Sequence, residues 1–336
     1  MEYARVKGLN REVSRIGLGT WSIGGFMWGG TDERNALETI LTAFRYGINL
    51  IDTAPAYGFG RAEELVGRAL TQDSMRQEVI IATKVGLEWR GAQLFRNATR
   101  ARIMKEIDDS LRRLQTDYID IYQVHWPDPL VPIEETATVM HQLYRQGKIR
   151  AIGVSNYSLE QMNLFQQAAP VHTAQPPYNL FERDVERDVL PYCRTHGIST
   201  LTYGSLCRGL LSGKMKIDTV FQGDDVRKID PEFQPPRYAQ YLKAVERLDR
   251  FAQENYGHSI LELAVRWTLD QPFVTVALWG ARHPEQLAAI AGISGWTLDA
   301  SAMRAIGEIA RESITDPVGP GFMAPPARSL EQRASA

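Results

Sequence analysis

Gly47-Ile48-Asn49-Leu50-Ile51-Asp52-Thr53-Ala54-Pro55-Ala56-Tyr57-Gly58 is the stretch whose reading decides the fold. Ile48 to Ile51 is a short apolar run of the kind buried on both faces of a parallel sheet. It ends at once in a carboxylate, Asp52, and the loop that follows holds proline, glycine and an isolated phenol, Tyr57. Apolar residues then recur at helical spacing from Glu63 through Leu70. A buried strand that delivers an acid and a tyrosine into a loop before a helix is how parallel α/β proteins build sites. The plainer alternative makes Asp52 a helix cap and Tyr57 a half-buried loop aromatic.

Working outward, the same alternation repeats along the chain. Strands are expected at 15–21, 48–51, 79–83, 118–124, 149–154, 171–175, 198–203 and 274–278. Helices are expected from Thr31-Asp32-Glu33 to about Tyr46 and near 61–70, 99–114, 134–146, 159–168 and 184–195. More follow near 238–255, 259–270, 284–293 and 299–312. A polar segment before the first strand has the look of a hairpin, and a Pro-rich, charged excursion runs from Lys214 to Arg237. Parallel strands need long crossovers, which the helices supply. Eight such units close into a (β/α)8 TIM barrel, whereas a doubly wound sheet usually has fewer strands. The fold class expected is therefore α/β: one barrel domain over residues 1–336, core about 14–312, with an N-terminal hairpin and an insertion after strand seven. The tail, 313–336, is a candidate cover for the site, its segment Phe322 to Arg328 in particular.

Composition agrees with such a fold and excludes other roles. The 336 residues are 44% hydrophobic and 23% charged, enough apolar material for a large core. A net charge of −2 with no basic run leaves no footprint for nucleic acid or for an anionic membrane surface. No apolar run approaches the roughly 18 residues that span a bilayer, and Met1-Glu2-Tyr3-Ala4-Arg5 is no signal core. Two cysteines, Cys193 and Cys207, make neither a disulfide framework nor a zinc cage. A reducing, cytoplasmic setting is expected.

Barrel chemistry collects at the C-terminal strand ends. Asp52 and Tyr57 follow strand two, Lys84 strand three and His125 strand four. Ser155 and Asn156 follow strand five, Gln175 ends strand six, Tyr203 ends strand seven, and Gly280-Ala281-Arg282 follows strand eight. Each has an ordinary reading: a snorkelling rim lysine, a core histidine bonded to backbone, turn formers, a first-turn arginine paired with Glu285. Their convergence on one rim argues for chemistry. An ammonium held by a carboxylate would stabilise a phenolate and lower the phenol's pKa from about 10 towards a useful range. The imidazole can orient or polarise a carbonyl oxygen. No carboxylate pair suits glycoside hydrolysis, and no cluster has metal-ligand spacing.

The cofactor signals differ from those of a dinucleotide fold, because no Gly-x-Gly-x-x-Gly follows the first strand. Gly280-Ala281-Arg282-His283-Pro284-Glu285-Gln286 instead opens the last helix, where free N–H groups and Arg282 can hold a phosphate. The loop from Gly204 to Lys214 adds backbone donors with Arg208 and Lys214. Ser155, Asn156 and Gln175 suit a carboxamide, and Tyr203 could stack on its ring.

Asp52, Tyr57, Lys84 and His125 resemble the catalytic tetrad of the aldo-keto reductase superfamily. The surrounding motifs match as well: Gly-Ile-Asn-Leu-Ile-Asp-Thr-Ala, Ala-Thr-Lys-Val-Gly, Gln-Val-His-Trp-Pro, Gly-Lys-Ile-Arg-Ala-Ile-Gly-Val-Ser-Asn and Arg-Gly-Leu-Leu-Ser-Gly-Lys. Gly-Thr-Trp-Ser-Ile-Gly-Gly-Phe-Met-Trp-Gly-Gly and Phe-Met-Ala-Pro-Pro-Ala-Arg look like the bacterial NADP-dependent glycerol dehydrogenase (glyceraldehyde reductase) branch. The resemblance implies that Tyr57 donates a proton, Lys84 and Asp52 tune it, and His125 positions the carbonyl. It implies a nicotinamide held by Ser155, Asn156, Gln175 and Tyr203, with Gly19, Thr20, Trp21 and Asp52 also at the cofactor. Phosphates would fall to Gly204, Ser205, Leu206, Arg208, Lys214, Gly280, Arg282 and Gln286.

Trp21, Phe26, Met27, Trp28, Trp89 and Trp126, with Tyr57 and His125, are the expected substrate wall. Many relatives have Ser-Pro where this chain has Gly204-Ser205, and asparagine where it has Ile290. The expected activity is NADP(H)-dependent hydride transfer between nicotinamide and a small aldehyde, ketone or polyol, with glyceraldehyde and glycerol as examples. Two rivals stay open: an NADP(H)-sensing barrel that docks to a partner, and a phosphate-binding isomerase.

Overall fold

The structure, a computed structural model, describes residues 1–72 and 75–329. The chain begins with a hairpin of β1 (Tyr3–Arg5) and β2 (Glu12–Ser14), then enters the barrel with β3 (Ile16–Gly19). A helical turn α1 (Trp21–Gly24) and helix α2 (Glu33–Arg45) lead to β4 (Leu50–Asp52) and α3 (Arg61–Gln72). β5 (Ile80–Val85) is followed by a second hairpin, β6 (Leu87–Arg90) with β7 (Gln93–Arg96), and by α4 (Arg100–Leu114). Then come β8 (Ile119–Val124), α5 (Ile133–Arg145), β9 (Ile149–Ser155), α6 (Leu159–Gln166), β10 (Thr173–Gln175), α7 (Val189–Thr195) and β11 (Ser199–Thr202). The chain continues through α8 (Arg237–Tyr256) and α9 (Ile260–Asp270) to β12 (Val276–Gly280) and α10 (Ala300–Ser313).

Eight strands close on themselves in the order β3-β4-β5-β8-β9-β10-β11-β12, every neighbour parallel. Strand side chains alternate in and out. Leu50, Ile80, Ala82, Ile121, Ala151, Leu201, Val276 and Leu278 pack inside, and Val6 and Val13 of the first hairpin join them as a floor. The alternate positions, among them Ile51, Ile81, Tyr122 and Ile152, face the surrounding helices in a larger core. The same parity aims the last inward residue of each strand at the upper mouth. That parity is what positions the site.

The local departures from expectation have visible causes. The first strand stops at Gly19, and Trp21 opens a helical turn, because Thr20 turns back to bond the Asp52 carbonyl through both its N–H and its hydroxyl. The last strand starts two residues late, since Val274 still donates its N–H to Gln271 in a turn. The helix expected at 184–195 is a short 3₁₀ turn, Asp184–Glu186, followed by α7, and the one near 284–293 is 3₁₀ throughout, Pro284–Gly292. The β6–β7 hairpin was not anticipated. Asp32 does cap α2, accepting the N–H of Asn35 at 2.8 Å.

The insertion is built of two 3₁₀ turns, Val226–Lys228 and Pro231–Phe233. It is tied back to the loop after α1 by the N–H of Val226, which donates to the Met27 carbonyl at 2.9 Å. The tail residues described run along β7: Arg96 donates its backbone N–H to Pro326 at 2.8 Å and its Nε to Pro325 at 2.7 Å. Residues 330–336 of the expected cover lie outside the described residues.

Candidate active site

Asp52 is the last residue of β4, Lys84 the fifth of β5, and His125 the first after β8. Lys84 therefore lies within its strand rather than after it, on an inward position two residues above Ala82. Tyr57 reaches the same point from the loop after β4. That loop runs against α1 so closely that a Cβ on Gly58 would sit 2.1 Å from the Gly24 carbonyl oxygen. A Cβ on Gly24 would sit 2.5 Å from the backbone of Tyr57. Two glycines facing each other are what let the phenol enter the mouth.

The Lys84 ammonium donates to Asp52 Oδ1, to the Thr53 carbonyl at 3.0 Å and to the Tyr57 hydroxyl at 3.1 Å. The Lys84 side chain has no solvent exposure. A buried charge needs such partners, because desolvation without them costs several kcal/mol. The imidazole of His125 meets the Tyr57 ring edge-on, centroids 5.8 Å apart, and Trp21 stacks at 6.3 Å on the phenol. Tyr57, His125 and Asp52 all line one cavity, and Lys84 lies behind them.

Electrostatics correct one expectation. Burial raises the Tyr57 phenol above its ordinary value of 10, and the Lys84 ammonium only partly offsets that, while Asp52 adds to it. The expected lowering does not occur; desolvation of the phenolate outweighs one ammonium already shared with a carboxylate. Burial also works against the Lys84 ammonium, yet Asp52 and Tyr57 together hold its pKa above the usual lysine value. Burial, seconded by Lys84, drives His125 well below 6.5. At neutral pH the site therefore holds a protonated phenol, an ammonium and a neutral imidazole.

The residues expected at a cofactor lie along the same cavity. Gly19, Thr20, Trp21, Ser155, Asn156, Gln175, Tyr203, Gly204, Ser205, Leu206, Gly280, Arg282 and Gln286 all line it. Ser155 Oγ donates to the Gln175 carbonyl at 2.9 Å, and Asn156 Nδ2 donates to Ser155 Oγ at 3.1 Å. The Tyr203 hydroxyl donates to Asn156 Oδ1 at 2.9 Å. Asn156 itself sits at φ 60°, a left-handed conformation asparagine tolerates, which lets Nδ2 also reach the His125 carbonyl at 3.0 Å. Gln286 Oε1 accepts the N–H groups of Arg282 and His283 at 2.9 and 3.2 Å, closing the first turn of the final segment. Arg282 Nη1 donates to the Trp28 carbonyl at 2.6 Å.

Three expected residues stand elsewhere. Arg208 touches the cavity, but its guanidinium is enclosed by Glu182 at 2.9 Å, Glu232 at 2.8 Å and Asp230. Three carboxylates claim the charge that a phosphate was expected to meet. Burial pushes the Glu232 carboxyl up to about 8 against the pull of Arg208. Glu182, Cys207 and Glu232 come within ligand distance of one another here, but the Arg208 guanidinium already sits among them. Lys214 is exposed and does not line the cavity. Trp89 lies one ring back, against Phe59, which in turn packs on Phe26. Phe26, Met27, Trp28 and Trp126 do line the cavity.

Sequence reasoning missed Leu87 and Leu94 of the second hairpin and Arg227 of the insertion, all in the lining. Met323 and Pro325 of the tail also line it, within the segment expected to cover the mouth. It also missed Gln123, whose Nε2 donates to Asp52 Oδ2 at 3.2 Å. The available signal was parity: Gln123 lies on β8 two residues before His125, the first residue after it, and faces the same way.

The donor set fits a dinucleotide with a carboxamide at one end and phosphates at the other. Ser205 Oγ is buried at the cavity wall with no hydrogen-bond partner among the described residues. At Gly280 an added Cβ would meet nothing within 4 Å, so the backbone is open to close approach from the cavity.

The family profile described as the Aldo/keto reductase family matches residues 15–311. The chain belongs to this family, whose members are oxidoreductases using nicotinamide cofactors on small molecules. Among its relatives is the aldo-keto reductase YhdN of Bacillus subtilis (strain 168), 61% identical over 98% of this chain and 99% of that one. The NADH-specific methylglyoxal reductase of Escherichia coli (strain K12) is 38% identical over 88% of this chain and 95% of its own length. Among solved structures, the glycerol dehydrogenase AKR11B4 from Gluconobacter oxydans superposes with a TM-score of 0.87 at 48% identity, covering 96% of this chain and 99% of that one. The expected family and the expected barrel are the ones found. No helix among the described residues is long and apolar enough to cross a membrane.

Proposed function

We propose that this chain is an NADP(H)-dependent reductase of small aldehydes and ketones, oxidising the matching polyols in reverse, with glyceraldehyde and glycerol as the substrate type. One observation carries the reading: the Tyr57 hydroxyl, on the cavity wall beside His125, stands 3.1 Å from the Lys84 ammonium that Asp52 holds. The bound nicotinamide would supply hydride to the carbonyl carbon. Tyr57 would give its proton to the carbonyl oxygen. A phenol kept protonated by burial is ready as the acid, since the alkoxide forming on substrate is a far stronger base than a phenolate. Lys84 would stabilise the phenolate left behind, and the neutral His125 could donate one N–H to the same oxygen.

Ser155, Asn156, Gln175 and Tyr203 would hold the carboxamide and ring, with Gly19, Thr20 and Trp21 alongside. Gly204, Ser205, Leu206, Gly280, Arg282 and Gln286 would hold the phosphates. Cofactor choice rests on Arg282, a cation at the cavity with no carboxylate bound to it among the described residues. The Escherichia coli relative is named NADH-specific, so NADP(H) is a property of this chain to be tested rather than inherited. The glycerol dehydrogenase neighbour and the aromatic wall of Trp21, Phe26, Trp28 and Trp126 support a small polyol-derived substrate.

Tyr57→Phe tests the chemistry, with NADPH absorbance followed over a carbonyl panel. Turnover should fall by at least about 10²-fold while the cofactor still binds. Near wild-type turnover with cofactor bound would sink the reading and favour a sensing barrel.

A further inference from the structure

The register places Lys84 opposite Gln123, Gln123 opposite Gly153, and Gly153 opposite Thr173, four neighbours in one layer of the barrel interior. A layer of this kind is normally filled by side chains from each strand. Here β9 contributes no side chain, and Gln123 lies across the space. An added Cβ on Gly153 would come 2.6 Å from Gln123 Cγ and 2.4 Å from Thr173 Oγ1.

Lying there, the Gln123 amide reaches the next carboxylate up. Its Nε2 donates to Asp52 Oδ2 at 3.2 Å, and its Oε1 accepts Gln175 Nε2 at 3.3 Å. Gln175 Nε2 also donates to Asp52 Oδ2, at 2.8 Å. One oxygen of Asp52 is thus held by two amides, and the other is left for the Lys84 ammonium. Gln123 is fully buried and lines no part of the cavity.

We propose that Gln123, seated over Gly153, is a positioning residue for the proton transfer: it fixes the Asp52 carboxylate so that Oδ1 holds Lys84 against Tyr57. This rests on the reading of Tyr57 as proton donor. Gln123 touches neither substrate nor cofactor, so its effect belongs in kcat and in the pH profile, not in KM. The charged groups facing it are Asp52 from β4 and Lys84 from β5, with the titratable His125 just past the end of its own strand. From β9 and β10 the described groups there are neutral: Gly153, Ser155, Thr173 and Gln175.

The decisive variants are Gln123→Leu, Gln123→Glu and Gly153→Ala, measured as kcat and KM from pH 5 to 9 beside the melting temperature. Gln123→Leu removes the donor and should lower kcat by about 10- to 100-fold at unchanged KM, the cost expected of a small misplacement. Gln123→Glu keeps the shape. While protonated, Glu at this position can donate to Asp52 and restore turnover; once ionised, it competes for Lys84. Its kcat should therefore fall with rising pH through an ionisation the native enzyme lacks. Gly153→Ala, which displaces the amide, should follow Gln123→Leu.

A purely structural role would lower the melting temperature and leave the pH profile native. Native kcat and pH profile in Gln123→Glu would overturn the proposal, as would a loss confined to KM. If Tyr57→Phe is inactive while the Gln123 variants behave as native, only this proposal fails; if Tyr57→Phe turns over normally, the functional reading falls first.

Discussion

The carboxylate of Asp224 accepts the backbone N–H of Met27 at 2.8 Å, across 197 residues of sequence. Its other oxygen accepts the N–H of Gly29 at 2.9 Å. The pair joins the insertion to the loop whose Phe26, Met27 and Trp28 line the cavity. Arg227, which lines the cavity too, lies over the Trp28 ring at 5.2 Å. Removing the carboxylate with Asp224→Ala takes away two solvent-exposed hydrogen bonds, worth about 1 kcal/mol in total. Affinity for the nicotinamide cofactor should fall about fivefold, read by fluorescence titration. An unchanged affinity would mean that the bridge does not shape the binding cleft.

Arg282 bears on the choice of cofactor. Its guanidinium donates once, to the Trp28 carbonyl, and no carboxylate among the described residues is bound to it. A second phosphate at the adenosine end would take charge-assisted bonds worth about 1.5–3 kcal/mol. Arg282→Ala should therefore weaken NADP(H) about 10- to 100-fold and NAD(H) little. Equal loss for both cofactors would remove the phosphate role and leave Arg282 as a brace for the Trp28 loop.

The extent to which all this was legible in the chain depends on how far apart the partners lie. Asp52, Tyr57, Lys84 and His125 stand out because each interrupts or ends an apolar run, and a barrel brings such ends to one rim. Gln123 gave no such signal, being a neutral amide inside a strand; only parity with His125 points it inward. Sequence alone makes Arg208 a phosphate ligand, because its carboxylate partners, Glu182, Asp230 and Glu232, sit more than twenty residues away on either side. The rise of the Tyr57 pKa depends on burial, which motif spacing does not report. The β6–β7 hairpin escaped because its strands have four residues each and are partly exposed, too short and too irregular for a period-two pattern.

Gly67 tests packing away from the cavity. It lies on α3 where a Cβ would fall 2.3 Å from the Arg113 carbonyl oxygen and 2.9 Å from the carbonyl carbon of Leu114, both backbone atoms at the end of α4. Helix propensity alone would favour alanine by about 1 kcal/mol. Pushing two backbones apart costs about 1–3 kcal/mol or more, and a backbone cannot swing aside as a side chain can. The clash should win. Gly67→Ala should lower Tm by a few degrees in a thermal melt; a rise in Tm would show that α3 and α4 do not meet this closely.

His125 ties stability to pH, and the sign follows from its depressed pKa. Burial, with Lys84 beside it, keeps the folded imidazole neutral well below 6.5, the ordinary value to which the unfolded chain returns. Between those two values the unfolded state binds the extra proton, so folding loses stability as pH falls below about 6.5 and is unaffected above it. The slope for one such group approaches about 1.4 kcal/mol per pH unit. His172, also buried, has its pKa lowered by burial and by Lys7 and adds in the same window. The lowered carboxylates, Glu2, Glu38, Asp109, Asp225 and Glu262, start from 3.8 to 4.5 and act only at lower pH. Glu232, its carboxyl pushed up to about 8 by burial, works the other way in this window, since the folded chain holds its proton and gains stability as pH falls. Denaturant unfolding at pH 7.5 and 5.5 should show the native chain losing more stability than His125→Gln, with the opposing Glu232 contribution common to both. Equal losses would mean that the imidazole beside Tyr57 takes up its proton in the folded protein as readily as in the unfolded one. A neutral imidazole facing the carbonyl would then no longer be available at the acid end of the range.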